Sequence, residues 1–228
     1  MKTTGLVAVP SWDLPVRIFH WLLVALFGAQ LYSGTTGGNA MPWHLYGGYA
    51  VLTLVLFRVM WGFVGGGRAR FSDFVSSPAN ALRYSKRLFS RQSSHAVGHN
   101  PLGGWMVLAS LALLAVQAAT GLFANDDIAT EGPLAALVSK EVSDRITSIH
   151  KLNLKLLLAL VALHVAAVLY HRWAKKEDLI RAMFTGVKHV PEAVAAAAGA
   201  TRHASYWLAA ILFAAAAAVV SLIVNRPF

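Results

Sequence analysis

Five apolar runs, near residues 14–33, 43–63, 101–123, 147–171 and 204–224, constrain this chain more than any other feature of it. Each is about as long as the roughly 20 residues a helix needs to cross about 30 Å of hydrocarbon. Lipid offers no partner for a backbone amide, so a segment crossing it must pair its own N–H and C=O groups and is helical. Charged residues make up only 13% of the 228 and hydrophobic ones 57%. A soluble domain carries about a quarter charged residues, and here the few charges collect between the runs. The expectation is an all-α membrane protein: a four-helix transmembrane bundle plus a fifth, C-terminal transmembrane helix. Trp12-Asp13-Leu14-Pro15 reads as the start of the first helix, with Pro15 suited to an opening turn. No basic segment leads directly into an apolar run with a small-residue cleavage site, so that helix is expected to be retained. Residues 34–42, rich in Gly and Thr and free of charge, read as a tight polar turn.

The formal net charge is +10. In a soluble protein that would suggest nucleic acid, but here the cations flank apolar spans. Arg68, Arg70, Arg83, Lys86, Arg87 and Arg91 follow the second run, and Arg172, Lys175, Lys176, Arg181 and Lys188 follow the fourth. The gap before the fourth run is instead acidic: Asp126, Asp127, Glu131, Glu141 and Asp144 face Lys140 and Arg145. Basic loops stay cytoplasmic, which predicts an N-terminus on the inner side of the membrane and a C-terminus on the outer side.

There is no cysteine. That excludes disulfides, iron–sulfur ligation and covalent c-type haem attachment. Histidine is the residue type that stands out. His20 lies early in the first run, His44 opens the second, and His150 and His164 lie fourteen residues apart on the fourth. Fourteen helical residues rise about 21 Å and complete nearly four turns, so His150 and His164 share a face at two depths. With the helices alternating in direction, His44 matches the depth of His150 and His20 that of His164. Any one of these alone reads as a polar residue hydrogen-bonding between helices. Four in two depth-matched pairs, each joining two helices, read as axial ligands of two non-covalent b-type haems (heme b), His44/His150 in the outer pair and His20/His164 in the inner. A zinc site needs three or four ligands close together, and the pairs are too far apart to combine. Nor do carboxylates cluster in the runs as a di-iron site would require.

Arg58 lies fourteen residues beyond His44, and Arg17 three before His20. Each guanidinium could pair a haem propionate or extend to the headgroups. Lys151 and Lys155 flank the outer end of the fourth run. Gly47, Gly48, Gly103 and Gly104 would let either a macrocycle or another helix come close. Trp12, Trp21, Trp43, Trp61, Trp105 and Trp173 lie near run ends, as an interfacial belt requires. His95, His99, His189 and His203 read as loop or interface residues, and His171 as two turns too deep toward the inner face to replace His164.

Several of these stretches together resemble a known family. They are Trp-Asp-Leu-Pro-Val-Arg-Ile-Phe-His-Trp (12–21), His-Leu-Tyr-Gly-Gly-Tyr (44–49), Phe-Arg-Val-Met-Trp-Gly-Phe-Val-Gly (57–65), His-Asn-Pro-Leu-Gly-Gly (99–104), Thr-Gly-Leu-Phe (120–123), and His150 to His164. The chain resembles the prokaryotic cytochrome b561 family and the related cytochrome b subunits of nickel–iron hydrogenases over about residues 10–185. The resemblance implies a di-haem membrane cytochrome exchanging electrons between the quinone pool and a partner, with His20, His44, His150 and His164 in the ligand positions. Residues 1–185 would form that bundle, and 186–228 a cytoplasmic linker and the fifth helix, which the shortest members of the family lack. The expected partners are quinone or quinol and a periplasmic redox protein, such as a c-type cytochrome or a dehydrogenase. The alternatives are a stand-alone superoxide:quinone oxidoreductase and a haem-containing anchor subunit.

Overall fold

The computed structural model describes residues 5–88, 96–199 and 204–225. Strand β1 (Leu6–Pro10) precedes α1 (Leu14–Thr36) and α2 (Met41–Val64). Two short helices follow, α3 (Phe71–Phe74) and α4 (Pro78–Arg87), and then α5 (Pro101–Gly121) and α6 (Lys140–Trp173). The chain continues through α7 (Leu179–Thr185), β2 (Val187–Pro191), α8 (Glu192–Ala197) and α9 (Tyr206–Val224). Helices α1, α2, α5, α6 and α9 are long and apolar enough to cross a membrane, and they coincide with the five apolar runs. Helix α6 starts seven residues before its run, because Ser139 caps its first turn, with its hydroxyl accepting from Val142 N and its carbonyl from Ser143 N. Lys140 and Asp144, one turn apart and 2.5 Å between charged atoms, support that polar start.

The chain divides into two compact units. One comprises Phe19–Val59, Ser110–Val161 and Ala210–Phe228. Its core draws on four helices: Val51 and Val55 of α2, Leu114 of α5 and Leu157 of α6 are buried together, with Leu23, Leu26 and Phe27 of α1 against them. A second cluster brings in the fifth helix, where Val220 of α9 packs with Leu52, Ala118 and Leu122. Phe213 of α9 meets Phe57 edge-on. In lipid such packing gains from close van der Waals contact rather than from expelling water. Many large apolar side chains on these helices, Leu163 and Leu222 among them, remain exposed in the protein alone. They suit a lipid surface.

In the same unit the acidic segment between α5 and α6 is an ordered cap. The Asn125 side chain donates to Ser143 and Asp144, and its N–H to Thr147. Asp126 accepts from the backbone N–H groups of Ile128, Ala129 and Thr130. Backbone donors, those of Thr130 and Ile128 foremost, hold its carboxyl well below the usual carboxylate range.

The other unit comprises Met1–Ile18, Met60–Ala109 and Ala162–Ala209. Here β1 and β2 pair antiparallel, from Leu6 opposite Pro191 to Pro10 opposite Val187. Residues 186–191 were expected as part of a linker; instead they hold a strand and its turn. Five residues without clear alternation carry too little pattern to announce a strand whose partner lies far along the chain. Gly186 ends α7 in the left-handed region (φ 79°), and its carbonyl accepts from Ser11 N and Trp12 N. A Cβ there would stand 2.8 Å from the Trp12 carbonyl oxygen, so the turn needs glycine.

Asp13 caps α1, accepting from Val16 N at 2.9 Å, and its other oxygen accepts from Trp61 Nε1, also at 2.9 Å. Trp61 is only 1% exposed. Its expected place in an interfacial belt is therefore corrected: the indole faces the half-buried Asp13 carboxylate rather than lipid. Trp43, Trp173 and Trp207 are exposed, as belt residues would be. Gly104 lies against the Phe74 backbone carbonyl and Gly47 against Gln30, so both serve close packing within the protein.

Candidate functional site

His44 sits in the first turn of α2 and His150 three turns into α6. Nδ1 of His44 lies 3.2 Å from the Gln30 carbonyl oxygen and 3.2 Å from Ser33 Oγ. A carbonyl can only accept, so Nδ1 carries the hydrogen and Nε2 keeps its lone pair. Gln30 completes the clamp, its side-chain amide donating to the His44 carbonyl at 2.9 Å. His150 is held in the same tautomer. Its Nδ1 is 3.1 Å from Thr120 Oγ1, whose single hydrogen faces the carbonyls of Val116 and Gln117. Asn153 donates to Gln117 Oε1 at 2.7 Å, which turns the Gln117 amide nitrogen toward His150 Nε2 at 2.9 Å.

Glycine makes room for both rings. A Cβ on Gly34 would stand 2.7 Å from His44 Cε1, and one on Gly121 3.2 Å from His150 Cε1. The two imidazoles lie 6.3 Å apart between ring centres, at 80° between planes. Two metal–nitrogen bonds of about 2 Å, each extended by a ring radius of about 1 Å, place two axial imidazoles roughly 6 Å apart. The spacing fits one metal ion between these rings. Each Nδ1–H has an oxygen acceptor, the usual way a ligating histidine is oriented and made more basic. On binding, the metal would take the place of the Gln117 amide at His150 Nε2.

His20 is half-buried on α1, its ring edge-on to Trp21 at 4.9 Å. His164 lies on α6 in the other unit, where its side chain is exposed on the helix surface. Arg58 is buried within α2, 2% exposed. Arg17 donates to the carbonyl of Phe184 in the last turn of α7, a favourable place for a cation. Lys151 and Lys155 are exposed on α6. His171 is buried and faces Glu177, Nδ1 to Oε2 3.3 Å. His99 stands between Trp12 and Phe74, ring centres 4.4 and 4.6 Å away. His189 is exposed on β2, and His95 and His203 lie outside the described residues. Among the described residues no three metal-ligating side chains of the His, Cys, Asp and Glu types come together. That leaves a histidine pair from two helices as the site's chemistry.

The residues that orient the pair went unnoticed as such: Gln30, Ser33, Gly34, Gln117, Thr120, Gly121 and Asn153. Thr120 and Gly121 lie in the Thr-Gly-Leu-Phe stretch, and the structure supplies a physical reason for that dipeptide: a hydroxyl acceptor and a vacant side-chain position beside one imidazole.

A membrane-spanning helical bundle with imidazoles from different helices facing each other defines a class of membrane proteins built to hold a metal or metalloporphyrin within the bundle. A family model described as prokaryotic cytochrome b561 matches residues 11–186. The chain belongs to the prokaryotic cytochrome b561 family and is a membrane b-type haem cytochrome of electron transfer. No curated protein and no solved structure matches it.

Proposed function

We propose that this protein is a di-haem conduit, carrying electrons between the quinone pool and a periplasmic redox partner such as a c-type cytochrome or a dehydrogenase. The facing rings of His44 and His150, with both Nδ1 hydrogens directed to oxygen acceptors, carry this reading. His44 and His150 hold one haem b; His20 and His164, matched in depth by helix spacing, hold the other. With both axial positions filled, a haem exchanges single electrons and leaves no open site for bond chemistry. The protein's contribution is to fix imidazole tautomers, exclude water and place charge. Arg58 would pair a propionate from its buried position, and Arg17 would do so beside its Phe184 contact. The bundle of residues 1–185 is the electron-transferring part, with residues 186–228 carrying α9. The family resemblance implies a bacterial inner membrane, and the charge pattern of the loops supports an N-terminus inside and a C-terminus outside.

A second reading, superoxide:quinone oxidoreductase, draws on Lys151 and Lys155, exposed on α6 beyond His150, where they would attract an anion. Rapid reaction of the purified protein with superoxide, with quinone as acceptor, would favour it.

A reduced-minus-oxidised spectrum with haem quantitation, on wild type and four His→Ala variants, tests the main proposal. Two b haems per chain are expected. His44→Ala or His150→Ala should remove one, and His20→Ala or His164→Ala the other. A wild-type protein without haem absorbance after expression with ample haem supply would end this reading.

A further inference from the structure

Helix α4 starts for ordinary reasons: the Ser77 side chain accepts from Asn80 N at 3.3 Å, and Pro78 occupies the opening turn. Its sides then divide. Ala81 is buried, and Tyr84, Ser85 and Leu88 continue the same face half-buried. The rest of the circumference is exposed and carries Leu82, Arg83, Lys86 and Arg87. Among the described residues no carboxylate pairs with any of those three cations. Arg83 reaches the Asn80 side-chain oxygen within its own helix. Between Asp73 and Asp126 the sequence has no acidic residue at all. The helix dipole accounts for Lys86 and Arg87 in the last turn. Arg83, a turn earlier on the same exposed side, needs another reason.

Both ends of α4 are fastened to membrane-crossing helices. Trp105 Nε1, in the second turn of α5, donates at 3.1 Å to the Ser76 carbonyl just ahead of the helix. Tyr170 Oη, in the last turn of α6, donates at 3.1 Å to the Leu88 carbonyl just beyond it. All of these atoms belong to one unit. Tryptophan and tyrosine near the ends of spanning helices take the headgroup level of a bilayer. Helix α4, about 15 Å long, is strung between two such anchors and lies along that level. Lys175 adds a cation beside the second anchor, its Nζ 6.0 Å from the centre of the Tyr170 ring.

We propose that α4 binds anionic phospholipid in the leaflet on the side of the basic loops. Arg83, Lys86 and Arg87 meet lipid phosphates, and Leu82, at the edge of the exposed arc, enters the outer acyl region. Charge and level both favour this occupant over an acidic protein, which would meet the cations from the water side and leave Leu82 uncovered. A cation beside an anionic membrane surface is worth about fivefold in binding, so three give roughly a hundredfold preference over a zwitterionic lipid. Added salt should shrink that preference by screening.

The test uses the full-length, haem-loaded protein in phosphatidylcholine nanodiscs with and without phosphatidylglycerol. A photoactivatable phosphatidylglycerol should label residues 79–88 at least tenfold more than the matching phosphatidylcholine. The triple variant Arg83→Gln, Lys86→Gln, Arg87→Gln should bring the two lipids within twofold. Arg83→Lys with Arg87→Lys, which keeps the charge, should preserve the difference. The chain has no cysteine, so Leu82→Cys can carry a single nitroxide, which oxygen should reach more readily than a water-soluble nickel complex. All variants should keep the wild-type haem spectrum, the sign that they have folded. Should the triple variant lose haem, the wild-type lipid comparison and the Leu82→Cys measurement still decide. Equal labelling of wild type by the two lipids, or a folded triple variant that keeps the preference, overturns the proposal. So does a nitroxide at position 82 that the nickel complex reaches more readily than oxygen, since the face then stands in water and is free for an acidic protein.

Discussion

A methyl group at position 34 would sit 2.7 Å from His44 Cε1, closer than two carbons approach without contact, whereas one at position 28 of the same helix would meet nothing within 4 Å. Gly34→Ala is therefore expected to displace the His44 ring and halve the haem bound per chain, while Gly28→Ala leaves it unchanged. Pyridine haemochrome assay of the two variants decides it, and equal haem content would show that the ring tolerates the push. Both substitutions replace a helical glycine by alanine, so their helix propensities change alike and cancel in the comparison. That His44 and His150 lie at one depth follows from their places near the starts of two runs that cross in the same direction. The glycines beside them do not follow, because their reason is a contact between helices, and nothing in the local sequence of α1 or α5 records which ring from elsewhere will need the space. Gln30 and Gln117 were equally hard to read. A lone amide in an apolar helix announces a polar partner without saying which.

Single helices and strands fail at their ends before their middles, and α1 begins on one carboxylate with two duties. Asp13 caps the helix and accepts from the buried indole of Trp61. Losing the cap costs about 0.5–2 kcal/mol, and a stranded buried N–H about 1–3 kcal/mol more. Asp13→Ala should lower the midpoint of thermal unfolding in detergent, with most of the loss recovered in Asp13→Asn, which keeps an acceptor for the cap. An unchanged midpoint in Asp13→Ala would remove the significance assigned to this contact. Where α6 ends, Glu177 lies buried between His171 and Lys188, 3.3 Å from each. Burial alone would raise its pKa, but the imidazole and the ammonium outweigh that and hold it below the usual carboxylate range. A folded-state pKa below the unfolded one means stability present above the ordinary Glu range and lost as pH falls through the depressed value. Unfolding midpoints measured between about pH 7 and pH 3 should fall less steeply in Glu177→Gln than in wild type. Parallel curves would contradict this. The apolar runs placed the five long helices within a few residues, apart from the polar first two turns of α6, since length and hydropathy decide them. The pairing of β1 with β2 was not legible, because its specificity lies in register and in the Gly186 turn rather than in composition.

For the whole molecule, the proposed orientation makes a prediction that needs no haem. Alkaline phosphatase joined after Phe228 should be active and a fluorescent protein joined there dark, with the reverse pattern for fusions in the segment between α2 and α5. Activity of the phosphatase at that internal position would invert the assignment. The loop charges carry the expected orientation but no sign of the ordered cap over residues 123–147, where Asp127 and Asp144 are matched by Lys140 at 2.5 Å each. Part of the charge of this acidic stretch is answered within the chain. The strand pair has a consequence for biosynthesis. β1 leaves the ribosome about 180 residues before its partner is translated. At about 5–20 residues per second this is a delay of roughly ten to forty seconds. During that interval the newborn ribbon has nothing to zip to, and four hydrophobic hairpin arms must enter the bilayer before it can. Closure of the ribbon thus comes late in maturation, and a nascent chain halted before Val187 would present an open edge to quality-control proteases.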